Sequence, residues 1–141
     1  MVQFPNGLHA LKVHFYLAQL YFADALEKNA IPHYEYVIAQ ARNEFTEQAL
    51  VRLSEIHLKD KNCDAAIVVL KQLETVAEYP QNITFAQANL MKCYYEKQDF
   101  TNSELYSDKV LNNQKTDDKI KSDAQIIIAR AAFNSNDLPK A

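Results

Sequence analysis

Few residues in this 141-residue chain have types and spacings that could do chemistry. Its histidines are His9, His14, His33 and His57. Metal ligands on one helix must stand three or four residues apart to share a face, as in His-x3-His or His-Glu-x2-His. None of the four has such a neighbour, and none has Cys-His metal spacing. His57 falls at a bulky apolar position of the repeat described below, which a packing or interface role explains. Cys63 and Cys93 have no CxxC relation and read as separate packing residues, the usual fate of free cysteine, so they say nothing of redox compartment. Ser54 and Ser103 occupy small-residue positions of the repeat rather than a nucleophile's place. Asp117 and Asp118, among Lys115, Lys119 and Lys121, read as a solvated connection. With Gly7 the single glycine, no glycine-rich phosphate loop can form. Asn82-Ile83-Thr84 matches a glycosylation acceptor, a pattern with meaning only in a eukaryotic secretory path. No catalytic, cofactor-binding or metal residue is assigned, and the chain is expected not to be an enzyme.

Hydrophobic residues make up 48% and charged residues 23%, a globular composition long enough for one domain with a sizeable core. One glycine and four prolines argue for helices joined by short polar turns, since strand-rich chains spend glycine on positive φ. The net charge of −3, with bases scattered among acids, argues against a nucleic-acid partner, which would need a basic stripe. The longest apolar run, Ala65 to Leu70, cannot cross a bilayer, so no membrane insertion is expected. The start, Met1-Val2-Gln3-Phe4-Pro5, lacks the basic and apolar regions of a signal peptide.

The elements that must position any site emerge from a repeat. Leu53 to Ile67 and Leu90 to Glu104 follow one template: an aliphatic residue, a bulky apolar one four or five later, a polar turn, an apolar residue, then a small one. The template recurs from Leu17, with Tyr21-Phe22 and Ala30. It recurs again from Ile128, with Ala132-Phe133, the turn Asn134-Ser135-Asn136-Asp137, Leu138 and Ala141. The four starts are spaced by 36, 37 and 38 residues. Helical periodicity within each unit (Leu53, Ile56, His57 and Leu58; Ala66, Leu70, Leu73 and Ala77) predicts helix pairs at about 8–24 and 27–40, 44–60 and 63–77, 83–97 and 100–112, with a last helix at about 118–134. Thr84 with Gln87, and Ser122 with Gln125, have capping-box spacing, and Pro80 would stop a helix ending near Glu78. Ala30, Ala66, Ser103 and Ala141 mark where paired helices approach closely. The expected fold is all-α: about three and a half stacked antiparallel helix hairpins, at about 8–40, 44–77, 83–112 and 118–141.

This template resembles the tetratricopeptide repeat (TPR), most clearly in Leu53, Ser54, Ala66, Leu70 and Leu73. The resemblance spans almost the whole chain and implies a right-handed α-solenoid as a single domain over 1–141. The period exceeds the usual 34 residues by two to four, which implies longer turns. Met91 stands where the family prefers Gly or Ala, which implies looser packing of the third hairpin. The fourth unit stops as its second helix should begin, so the chain is expected to be a slice of a longer array. Phe4-Pro5-Asn6-Gly7 and Tyr79-Pro80-Gln81-Asn82 lead into helices as in repeats of bacterial envelope proteins similar to the Tol-Pal-associated periplasmic factor. That implies a bacterial envelope or periplasmic setting, with the cytoplasm as the alternative. Sel1-type repeats need many glycines and are excluded.

In this family the first helix of each hairpin lines a concave groove. Carried onto this chain, its rows are Lys12, Phe15, Gln19 and Phe22; Gln48, Val51, Glu55, Leu58 and Lys59; Phe85, Ala88, Lys92, Tyr95 and Glu96; and Asp123, Ile126, Arg130, Phe133 and Asn134. Such a strip suits a protein partner's peptide or helix with apolar anchors. Phe15, Phe22 and Tyr95 also fit a plain packing role. The Lys and Asn clamp by which chaperone-binding members hold a carboxylate is not assembled, because its positions read Phe15, Gln19, Val51, Glu55 and Lys59. The expected function is a non-catalytic interaction scaffold. The alternatives are a homotypic self-association module forming a homo-oligomer, and a docking or regulatory segment of a larger enzyme-containing protein.

Overall fold

The computed structural model describes the backbone of residues 8–140 and the side chains of residues 9–133. Seven α-helices follow one another: α1 Leu8–Ala23, α2 Glu27–Ala39, α3 Thr46–Lys59, α4 Cys63–Val76, α5 Pro80–Glu96, α6 Phe100–Asn112 and α7 Asp118–Lys140. There is no strand among the described residues. The lead-in 4–7 and Ala141 lie outside them, as do the side chains of Asn134 and Leu138.

The protein divides into two compact units, Met1–Asn62 and Cys63–Ala141. In the first, α2 packs against both α1 and α3. Its core holds Ala18, Ala30, Tyr34, Val37, Leu50, Leu53 and Ile56, all essentially inaccessible. In the second, α5 packs against α4, α6 and α7, and α6 against α7. Leu70, Leu73, Leu90, Met91, Val110 and Ala124 fill its interior. The division falls between α3 and α4, the helices that the repeat pairs as its second hairpin. Burying one leucine fully contributes about 1.5–3 kcal/mol, so these cores carry most of the stability of each unit.

Three turns share one backbone design. Ala25, Lys61 and Gln98 have φ of 62°, 59° and 64°. In each turn the following amide closes a six-residue loop: Leu26 N–H to Tyr21 O (2.8 Å), Asn62 N–H to His57 O (2.9 Å) and Asp99 N–H to Tyr94 O (2.9 Å). These are Schellman closures, in which a left-handed residue satisfies carbonyls that the helix end leaves open. Their spacing, 36 and then 37 residues, equals that of the sequence template. The scarcity of glycine therefore does not mean that left-handed turns are missing; alanine, lysine and glutamine hold them.

The small residues sit where the template requires. Ala30, Ala66 and Ser103 are fully buried. The looser packing expected at Met91 is not found: Met91 is fully buried and Ser103 Oγ donates to its carbonyl at 3.2 Å. Methionine's flexible thioether fills the space without holding the helices apart.

Other expectations are corrected. Cys63 and Cys93 are joined by a disulfide, with Cα atoms 5.4 Å apart, so they are not separate packing residues. The pairing was hidden because the first residue of α4 meets the last turn of α5 only after folding. Thr84 is not a cap; it is buried inside α5, which begins at Pro80, and its Oγ1 accepts from Asn113 Nδ2 at 3.2 Å. Pro80 opens that helix, where a missing N–H costs nothing, and α4 has already ended at Val76. Ser122 is preceded by a full turn of α7, whose start Asp117 caps by accepting from the Ile120 N–H at 2.9 Å. The turn expected over 134–137 is helical, since α7 runs to Lys140. Asn, Ser and Asp each cost a helix only up to about 0.7 kcal/mol, too little to end one without glycine.

Candidate functional site

In the second unit, α5 buries Leu90, Met91, Cys93 and Tyr94. The helical period then leaves Lys92 and Glu96 outside and Tyr95 half-buried. On α7, Ala124, Ile127 and Ala131 face inward, leaving Ile126, Ala129, Arg130 and Phe133 on the opposite side. Tyr95, Ala129, Arg130 and Phe133 line an open cleft of about 410 Å3. Phe133 is 68% exposed and Ile126 46%. Arg130 is exposed and has no ion pair among the described residues. Asp123 lies between Lys92 (3.9 Å) and Lys119 (3.6 Å), so one carboxylate serves two ammonium groups. Pairs this exposed are weak, and the two lysines remain available to an outside anion. A phenyl ring, a phenol and a guanidinium on one cleft can hold an apolar or aromatic side chain beside an acidic group.

The expected residues of the first unit are engaged differently. Phe15 is buried, stacked on Phe45 at 4.5 Å, and belongs to the core. Gln19 accepts from the Tyr34 hydroxyl. Burial pushes the Tyr34 phenol up to about 12, so it stays a donor at every physiological pH. Phe22 is half-buried beneath the Arg52 guanidinium, 4.8 Å from its ring centre, and Arg52 also holds Glu55 at 3.0 Å. Val51 and Leu58 are half-buried, and Lys59 reaches Glu27 at 2.9 Å. The hydrogen bond from Lys59 holds the Glu27 carboxyl below its usual range. Among the described residues of the expected strip, Tyr95, Arg130 and Phe133 therefore line one open cleft, and Lys92 is tied to Asp123 of α7. Glu96 is exposed near the end of α5.

Sequence spacing missed a histidine pair. His14 of α1 and His33 of α2 meet Nδ1 to Nδ1 at 2.8 Å. Their ring centres are 5.1 Å apart, close to the nitrogen separation plus one ring radius at each end. The two nitrogens thus point at each other and share a proton, rather than converging on an ion. Tyr36 stacks on His14 at 3.9 Å and Tyr21 on His33 at 5.8 Å. No spacing in the sequence marks the pair: the two residues lie 11 and 8 residues from the turn at Ala25, and the packing of α1 on α2 brings them together. Among the described residues no group of three or more His, Cys, Asp or Glu side chains is placed to hold a metal ion. No helix among them is long and apolar enough to cross a membrane.

No protein-family model matches this chain, and neither a curated protein nor a solved structure matches it significantly.

Proposed function

We propose that this chain is a non-catalytic protein-binding module: a right-handed, TPR-like stack of helical repeats that takes a peptide or helix of a partner protein. Support for the repeat is the thrice-used turn at Ala25, Lys61 and Gln98, whose spacing equals that of the sequence template. The binding reading rests on the cleft of Tyr95, Ala129, Arg130 and Phe133. A 68% exposed phenylalanine beside an arginine with no ion pair among the described residues is the composition of a binding hot spot, rich in aromatic and Arg side chains. The peptide it suits has an apolar or aromatic anchor next to a carboxylate. The Cys63–Cys93 disulfide supports an oxidising setting such as the bacterial cell envelope, since such bonds are rare in the cytosol.

A displayed peptide library panned against the chain tests this reading. It expects enriched peptides with an acidic residue beside an aromatic or aliphatic one. Their binding falls at least tenfold with Arg130→Glu or Phe133→Ala, both exposed substitutions that leave the helical circular-dichroism signal intact. Enriched peptides indifferent to both changes would place the binding surface elsewhere.

A further inference from the structure

Helix α1 buries one face only. Leu11, Phe15 and Ala18 are in the core of the first unit. On the opposite side Val13 (42%), Tyr16 (55%), Leu17 (36%) and Leu20 (62%) are exposed in an i, i+3, i+4, i+7 stripe. No charge interrupts it. A stripe of this spacing is what a helix presents to another helix.

The occupant is indicated by the symmetry of the stripe. Turned antiparallel about a point between residues 16 and 17, α1 sets Val13 against Leu20 of a second α1, and Tyr16 against its Leu17. The same operation brings His9 at one end of the stripe opposite Asp24 at the other, and both are exposed. Apolar residues meet apolar residues, and the one acid meets a histidine able to donate to it or pair with it. Such self-matching under a twofold axis is the condition for an isologous interface.

We infer that the exposed face of α1 is a homodimer interface, with two α1 helices packed antiparallel and His9 of each chain beside Asp24 of the other. This inference is independent of the cleft on α5 and α7. Its contact is a single helix face, so the dimer is expected to form in the micromolar range rather than as an obligate pair.

The full chain, followed by sedimentation velocity from about 1 to 500 μM, would show a mass rising from 16.2 kDa toward twice that value. Leu20→Glu, a surface change that preserves the circular-dichroism spectrum, raises the dissociation constant by about tenfold or more, the loss of one anchoring contact. Geometry is tested by mixing Val13→Cys with Leu20→Cys chains under mild oxidation. The antiparallel arrangement cross-links the mixture and neither variant alone. A constant monomer mass would overturn the inference and leave the stripe to a different protein. So would a dimer that Leu20→Glu does not weaken, or Val13→Cys chains that cross-link with themselves.

Discussion

His14 and His33 face each other across the α1–α2 hairpin, their Nδ1 atoms 2.8 Å apart. One proton serves both nitrogens, so the contact needs at least one neutral ring. Partial burial, and then the charge of His33, hold the His14 pKa below its ordinary 6.5. A basic group with a depressed folded pKa binds its proton more tightly in the unfolded chain. Its contribution to stability is therefore present in full above pH 6.5 and lost as pH falls through that value. Urea unfolding at pH 8 and pH 5 should show the first unit weaker in acid, and His14→Phe should flatten the difference. An acid response unchanged by His14→Phe would assign the effect to carboxylates instead.

The Cys63–Cys93 bond closes a chain segment with a sequence separation of 30. Loop-closure entropy for a segment of that length is worth about 3–4 kcal/mol in the unfolded state. Reduction, or the double change Cys63→Ala with Cys93→Ala, should lower the unfolding free energy of the second unit by about that amount. The first unit contains neither cysteine, and its transition should not move. Mass spectrometry of the untreated chain, with and without alkylation, checks that the bond is present at the outset. An unfolding curve indifferent to reductant would mean that the bond adds nothing to the fold.

The left-handed turns offer a gain rather than a loss. An L-residue at φ near 60° costs roughly 1–2 kcal/mol, from which the greater freedom of unfolded glycine subtracts about 0.5–1. Ala25→Gly, Lys61→Gly and Gln98→Gly should each stabilise the protein by about 0.5–1 kcal/mol. The three positions are far apart in sequence and share no partner, so the effects should add. A loss of stability at all three would contradict the turn geometry.

What could be read in advance divides along a physical line. Local signals sufficed for most of the helices: the 3.6 period of Leu53, Ile56 and His57, and the small residues Ala30, Ala66 and Ser103, placed six helices and their close approaches within about three residues, while α7 runs six residues beyond its expected end. Contacts across elements were beyond those signals. Cys63 and Cys93, or His14 and His33, are neighbours only because helices fold back on one another, and residue spacing does not encode that. Thr84 carried the right spacing for a cap but lost to Pro80, whose fixed φ starts α5 a turn earlier. Within the expected groove, Tyr95, Arg130 and Phe133 came together because both helices keep a regular period. Phe15 did not join them, since a large aromatic gains more from stacking on Phe45 in the core than from facing water.

Glu74 ties three helices of the second unit together. Its carboxylate on α4 accepts from Gln87 Nε2 of α5 at 3.1 Å and from the Tyr106 hydroxyl of α6 at 3.3 Å, and pairs with Lys109 Nζ at 3.1 Å. Lys109 also lies 4.6 Å from the centre of the Tyr106 ring. Burial first, and the Glu74 charge second, push the Tyr106 phenol up to about 12, so it remains a donor. The Glu74 side chain is only 16% exposed, and deleting it strands donors that water reaches poorly. Glu74→Ala should therefore destabilise the second unit by about 2 kcal/mol, and Tyr106→Phe, which removes one donor and leaves the ion pair, by about 1 kcal/mol. In a double-mutant cycle the two losses should fall short of additivity, because the second change removes a bond that the first has already broken. Full additivity, measured by urea unfolding near neutral pH, would mean that the Tyr106 hydroxyl contributes independently of Glu74 and is not held by it.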